Sequence, residues 1–192
     1  MLTERIIGAF TFRSGVYKEV EMDPSFTSTA WLLVIVVSFL GQLGSVAGTA
    51  DGFIGWIIGS IVGTVFAVIG FAFGAFIINW IGRSVFQADV TFEELVRTLG
   101  LAYVWRVVGF LAIIGAVSGA LSCLLAPIQL IAFVAYLVAW FVAAREALDL
   151  GWGETILTVI LGWVVTLIIS IIAGFILAAI GLTTGAAFGL FG

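Results

Sequence analysis

Long apolar stretches separated by short polar segments dominate the pattern along the chain. Five of them come close to or exceed the roughly 20 apolar residues that a helix needs to cross a bilayer. They cover residues 30–48, 53–81, 101–121, 123–144 and 156–180. The pattern therefore predicts an all-α polytopic membrane protein, a bundle of five transmembrane helices with short amphipathic helices at the interface. Residues 1–28 form a separate amphipathic segment before the membrane domain of residues 29–192.

Composition supports the same assignment. Hydrophobic residues make up 63% of the chain and charged residues only 9%, whereas soluble domains average about 45–50% and 25%. So few charges cannot cover the surface of a water-soluble globule. The chain has no His and one Cys, which excludes His-based catalysis and a Cys/His zinc site. We expect no catalytic residue, no cofactor and no metal.

The third and fourth apolar stretches lie almost next to each other, so they form either one long kinked helix or a hairpin. Ser122 and Pro127 favour the hairpin, because proline removes a backbone donor and disfavours helix at the residue before it.

Basic residues predict the orientation in the membrane. With five spans, all seven fall on the same side: Arg5, Arg13, Lys18, Arg83, Arg97, Arg106 and Arg145. The positive-inside rule then places the N-terminus in the cytoplasm and the C-terminus outside. Among the acidic residues only Asp51 is expected outside.

A short amphipathic helix is predicted between the second and third spans. Thr91 and Glu94 have the spacing of a capping box, and Gly100 is placed to end the helix. Phe92 lies on the apolar face, with Glu93, Glu94 and Arg97 on others, so we expect the helix to lie in the membrane interface. It is either a simple connector or a docking surface for a partner.

The cytoplasmic side holds every candidate for recognition of a partner. Arg145 and Asp149 follow the fourth span and have the spacing to pair with each other. The candidates are Arg83, Phe92, Glu93, Glu94, Arg97, Arg106, Arg145 and Asp149.

Glycine is concentrated in stripes. The second span carries Gly55, Gly59, Gly63, Gly70 and Gly74 at helical spacing, and the fifth span carries Gly162 and Gly174. Small residues allow transmembrane helices to approach closely, and this contact replaces the hydrophobic drive that lipid does not provide. We expect these glycines to pack helices within the bundle or against a second copy.

Arg106 is the charged residue predicted to lie deepest in a span. It follows Leu101 by about 7.5 Å along a helix, so we expect its side chain to reach the cytoplasmic interface and pair with Asp89, Glu146 or Asp149. A structural or headgroup-binding role is favoured over substrate binding. The remaining polar residues of the spans, Gln42, Asn79 and Gln129, are too few to indicate a site.

The order of these features resembles the Yip family, the Ypt/Rab-interacting membrane proteins. An Arg-led amphipathic start with Tyr17-Lys18-Glu19 leads to Asp23-Pro24, a Gly-rich second span, FEELVRTLGLAY before the third span and AAREALDL after the fourth. The resemblance implies a compact five-span domain with a cytoplasmic N-terminus. It is closest to prokaryotic members, which implies the plasma membrane of a prokaryote.

Two features of eukaryotic members are missing. The chain lacks their acidic-aromatic-Pro motif, and no Pro follows Tyr103 in the third span. These departures argue against binding of a small GTPase.

The function expected from the sequence is that of a non-enzymatic scaffold or adaptor. Its partners would be membrane lipids and other integral membrane proteins or a second copy, with no nucleic acid. The alternatives are an accessory subunit of a larger complex, such as an energy-transducing one, and a small transporter or channel.

Overall fold

Helices make up nearly all of the computed structural model, which describes residues 2–48, 52–116 and 118–179. In chain order they are α1 (Leu2–Phe10), α2 (Ser14–Glu21), α3 (Phe26–Val46), α4 (Gly52–Phe86), α5 (Phe92–Ala102), a 3₁₀ segment (Tyr103–Leu111), α6 (Ala112–Gly115), α7 (Gly119–Leu148) and α8 (Trp152–Ala179). The described residues contain no strand. The predicted all-α class is confirmed.

Within the described residues, four segments are long and apolar enough to cross a membrane: Phe26–Val46, Gly52–Phe86, Phe92–Gly115 and Leu121–Leu148. A shorter apolar stretch, Trp152–Ile168, belongs to α8. The prediction of a polytopic helical membrane protein is therefore confirmed. Asp51, which the sequence places on the outer side, lies outside the described residues.

The helix α5 differs from its prediction in two ways. It does not end at Gly100 but runs to Ala102 and continues directly into the 3₁₀ segment. Its second half is also enclosed by the rest of the protein, since every residue from 95 to 102 is buried. A methyl group on Gly100 would lie 3.1 Å from the Cβ of Ala30, so this glycine serves the contact between α5 and α3 rather than the end of a helix.

The third and fourth spans are separate elements, as the hairpin hypothesis requires, but the break lies earlier than predicted. Ser118 caps α7, its Oγ accepting a hydrogen bond from the backbone N–H of Leu121. The hydroxyl of Ser122 donates to the carbonyl of Gly115 across the turn. Pro127 lies inside α7, since transmembrane helices tolerate proline where other groups satisfy the freed backbone.

The closest contact between spans joins α3 to the 3₁₀ segment. A methyl group on Gly44 would overlap the carbonyl oxygen of Gly109 and lie 3.1 Å from that of Phe110. One turn earlier on α3, the Cα of Gly41 would lie 3.6 Å from a methyl group on Gly109. Backbone therefore meets backbone here, which only glycine allows.

We expect Gly44→Ala to lower the free energy of unfolding by about 1–3 kcal/mol, because the new methyl group must push the 3₁₀ segment away. Unfolding in mixed detergent micelles, followed by circular dichroism, measures the change. Gly55→Ala is the matched control: no other part of the described chain lies within 4 Å of the new methyl group, and alanine is the better helix former. Equal losses in the two variants would contradict the close contact.

Aromatic rings connect α4, the 3₁₀ segment and α7. Phe71 packs edge-on against Tyr103 and Trp140, with ring centroids 5.3 and 6.0 Å apart. Tyr136 packs against the same two residues at 5.9 and 5.5 Å. The cluster fixes the rings of Tyr103 and Tyr136, which matter for the site below.

Candidate functional site

Most of the described charged side chains gather at one end of the bundle, where α3 and α8 begin and α7 ends; we call it the charged end. Here α1 and α2 fold onto the spans, and Tyr17 is completely buried. Arg5 binds Glu19 and Asp23 with N–O distances of 2.8 and 2.9 Å. Lys18 joins α2 to the end of α7 through Asp149, 2.7 Å away. These residues neutralise one another and hold the N-terminal helices in place.

Burial and ion pairs shift the protonation of this network. Burial raises the pKa of Glu21, and its ion pair with Lys18 only partly opposes the rise. Burial also lowers the pKa of Lys18, but hydrogen bonds to Asp149 and Glu21 outweigh it and leave that pKa raised. Hydrogen bonds from Ser25, and then from Arg5, lower the pKa of Asp23.

Arg97 was predicted on a polar face of α5 as a candidate for contact with a partner, but the structure buries it. The residue is only 6% exposed. Its Nε and Nη2 donate to the carbonyl of Glu21, and its Nη1 donates to the hydroxyl of Thr27 at 3.2 Å. Arg97 therefore joins α5 to the end of α2 and the start of α3, and it is not available to a partner.

We expect Arg97→Met to destabilise the protein by about 3 kcal/mol, because it removes charged donors from buried acceptors. Arg83→Met is the matched control, since Arg83 is exposed and should lose less than about 0.5 kcal/mol. Unfolding in mixed micelles compares the two variants. A similar cost for both would show that the buried hydrogen bonds do not stabilise the charged end.

The capping box of α5 is confirmed. The backbone N–H of Thr91 donates to Glu94 at 2.7 Å, and the backbone N–H of Glu94 donates to Thr91 at 3.3 Å. Glu94 thus serves the helix end, and Phe92 is half-buried beside Trp31. Of the candidates on α5, Glu93 is the exposed one.

The expected pair of Arg145 with Asp149 is wrong. Arg145 pairs with Glu146 at 3.1 Å, and its guanidinium lies over the ring of Trp152 at 4.8 Å. Asp149 ends α7 in the left-handed conformation, with φ of 51°. This conformation turns the chain away from the helix, and Asp149 binds Lys18 instead.

Arg106 lies much deeper than predicted. The 21 residues of α3 make it about 31 Å long, and the carbonyl oxygen of Arg106 lies 3.9 Å from a methyl group built on Gly41, about 22 Å along that helix from Phe26. Counted from Ala30, the predicted start of the span, the depth is about 16 Å, near the middle of a hydrocarbon core of about 30 Å. Asp89, Glu146 and Asp149 belong to the charged end, so the expected ion pairs of Arg106 are wrong.

Two tyrosines replace the expected carboxylate. The Nη1 of Arg106 donates to the hydroxyl of Tyr103 at 2.8 Å. The guanidinium carbon lies 5.1 Å from the ring centre of Tyr103 and 5.7 Å from that of Tyr136. These contacts stabilise a cation through π faces and a neutral acceptor, but they supply no negative charge. Arg106 is an exposed residue of the chain, so these contacts do not enclose it.

The side chain of Arg106 lines a cavity of about 380 Å³ between α3, the 3₁₀ segment, α4 and α7. The polar lining residues are Ser38, Gln42, Ser45, Tyr103, Arg106, Gln129 and Tyr136, and the apolar lining includes Val37, Ala67, Val108 and Phe133. The described chain places no carboxylate in this lining. A cavity of this size, with apolar walls and a few polar groups, is typical of a small-ligand site.

The cavity brings together polar residues that sequence analysis treated as isolated. Gln42 of α3 and Gln129 of α7 both line it with Arg106, whereas Asn79 donates to the carbonyl of Val90 near the charged end. Gly63 makes room for Gln42, because a methyl group there would overlap its amide. A signal existed in the sequence: three spans each carry one long polar residue within an apolar stretch.

The predicted glycine stripes divide into two groups. Gly59 meets Val46 of α3, Gly63 meets Gln42, and Gly162 of α8 meets Ile78 of α4, each at or within 3.2 Å of a built methyl group. By contrast, no other part of the described chain lies within 4 Å of a methyl group on Gly55, Gly70 or Gly74. Gly174 lies in α8.

Among the described residues, no group of three or more His, Cys, Asp or Glu side chains is placed to bind a metal ion.

The fold defines a polytopic helical membrane protein with a polar cavity among its spans. The family model of the Yip1 domain matches residues 7–174 of the 192-residue chain, and the chain therefore belongs to the Yip family. The Yip domain is not a known enzyme family. Searches of the curated proteins and of the solved structures found no match to the chain.

Proposed function

We propose that this protein is a non-enzymatic membrane adaptor that binds a transmembrane helix of another membrane protein, or of a second copy, on the open glycine face of α4. We define this face by Gly55, Gly70 and Gly74. The protein would lie in the plasma membrane of a prokaryotic cell, with its N-terminus in the cytoplasm. Exposed Arg83 and Glu93 would face the same partner at the charged end.

The proposal rests on a contrast among the glycines that line one side of α4. Side chains of α3 lie against Gly59 and Gly63, while no other part of the described chain lies within 4 Å of a methyl group built on the open glycine face. A glycine inside a helix costs about 1 kcal/mol relative to alanine. Close approach of a second helix would offset that cost, because backbone contact at small residues is what drives association in lipid.

The accessory-subunit alternative uses the same surface. A subunit of a larger complex would also cover the open glycine face, with a fixed rather than an exchanging partner. The two hypotheses differ in stoichiometry after purification from native membranes, not in the residues involved.

We expect the double substitution Gly70→Leu with Gly74→Leu to reduce copurification of the partner about tenfold or more, since two large side chains keep the helices apart. The experiment is affinity purification from native membranes in a mild detergent, with quantification of the bound proteins. Ala126→Leu is the matched control, because it adds similar bulk at an exposed position of α7. Circular dichroism checks that each variant keeps its helix content.

A cysteine placed at Gly74 tells whether the partner is a second copy. Cys123 is the sole cysteine and is exposed, so Cys123→Ser gives a clean background. A disulfide-linked dimer formed through Gly74→Cys in the membrane identifies a second copy. Unchanged copurification and no dimer would show that lipid covers this face and would contradict the proposal.

The orientation has its own test, in the same Cys123→Ser background. Glu93→Cys should react with a membrane-impermeant maleimide only after the cells are opened, and Asp51→Cys should react in intact cells. This outcome follows from the one-sided distribution of basic residues. The reverse pattern of labelling would contradict the cytoplasmic N-terminus.

A further inference from the structure

The cavity at Arg106 has the chemistry of an anion site. Arg106 lies near mid-membrane depth, where ionisable side chains are costly and pair with other groups. Its contacts in the described chain are the hydroxyl of Tyr103 and the rings of Tyr103 and Tyr136, all of them neutral. The guanidinium therefore has a hydrogen-bond partner but no counter-charge. An arginine fork offers paired donors that match the oxygens of a phosphate or carboxylate.

A second, independent observation comes from Ser38. Ser38 is only 5% exposed and lines the same cavity. Its hydroxyl has no hydrogen-bond partner in the described chain. A buried hydroxyl without a partner costs free energy, so such groups are normally satisfied. The side chain of Gln129 also lines the cavity. Three polar groups from α3, the 3₁₀ segment and α7 thus surround one space.

We propose that this cavity binds the phosphate of a phospholipid headgroup, with Arg106 as the charged donor and Ser38 and Gln129 as neutral ones. The apolar part of the wall, formed by residues such as Val37, Val108 and Phe133, favours a lipid over inorganic phosphate as the source of the anion. The lining does not include Gly55, Gly70 or Gly74, and the proposal does not depend on the proposed adaptor function.

The experiment measures binding to the purified full-length protein in a neutral detergent by microscale thermophoresis and by the shift in melting temperature. Three probes are compared: dioctanoyl phosphatidylglycerol, dioctanoylglycerol with the same chains but no phosphate, and sodium phosphate. We expect saturable binding of the phosphatidylglycerol and none of dioctanoylglycerol. Equal binding of sodium phosphate would keep the anion site but identify free phosphate as its source. Equal binding of dioctanoylglycerol would overturn the proposal.

Variants locate the binding. Arg106→Gln should weaken binding of the phosphatidylglycerol about tenfold or more, because it removes the charged donor. Without lipid, its melting temperature should not fall, since the substitution removes an uncompensated charge. Arg13→Gln removes one exposed positive charge outside the cavity and should leave the affinity unchanged. A lower melting temperature with unchanged lipid affinity in Arg106→Gln would show a purely structural arginine and overturn the proposal.

Neutral substitutions keep the proposal testable if Arg106→Gln does not fold. Ser38→Ala and Gln129→Leu each remove one neutral donor and should weaken binding about threefold to tenfold. Ser60→Ala is the matched control, because this serine is buried, its hydroxyl donates to the carbonyl of Trp56 within α4, and it does not line the cavity. If Ser38→Ala and Gln129→Leu both bind with the affinity of the unaltered chain, the phosphate does not lie in this cavity.

Discussion

The contact between α3 and the 3₁₀ segment is the constraint on which the rest of the structure depends. Gly44 brings the backbone of α3 against the carbonyl oxygen of Gly109, and a methyl group at position 44 would overlap that oxygen, so no residue with a side chain allows this approach. The contact fixes the depth and rotation of the 3₁₀ segment. Tyr103 and Arg106 belong to that segment, so its position also determines what lines the cavity.

Local signals in the sequence predicted a large part of the fold. The apolar runs gave the spans, because a long apolar helix is stable in lipid wherever it packs. The capping box at Thr91 and Glu94 was also predicted correctly, since both partners lie within one helical turn. The role of Gly100 was not predicted correctly, because this glycine makes room for a contact with Ala30 on another helix. A glycine ends a helix or packs against one, and the sequence alone does not distinguish these uses.

Arg97 and Arg106 show that a sequence read one helix at a time has the same limit for the site. Sequence spacing placed Arg97 at the surface and Arg106 near it, because depth was counted from Leu101 along an isolated helix. In the structure α5 is itself buried, so Arg97 binds Glu21 and Thr27 inside the protein. The whole segment lies deeper in the bundle, which takes Arg106 to the level of Gly41. Both errors come from contacts between helices, with α2 and α3 for Arg97 and with α3 for Arg106, which spacing along one helix does not reveal.

The charged end and the cavity differ in how their positive charges are compensated. At the charged end Arg5, Lys18 and Arg145 each have a carboxylate partner, so the positive charge of each is compensated within the chain. The cavity contains a guanidinium and a buried hydroxyl, and its lining contains no carboxylate in the described chain. A positive charge without a counter-charge costs free energy at this depth, and an apolar residue in place of Arg106 would remove that cost. An arginine at this depth therefore needs a compensating interaction. An anion bound there, as we propose, would supply the negative charge that the described residues do not place in the lining.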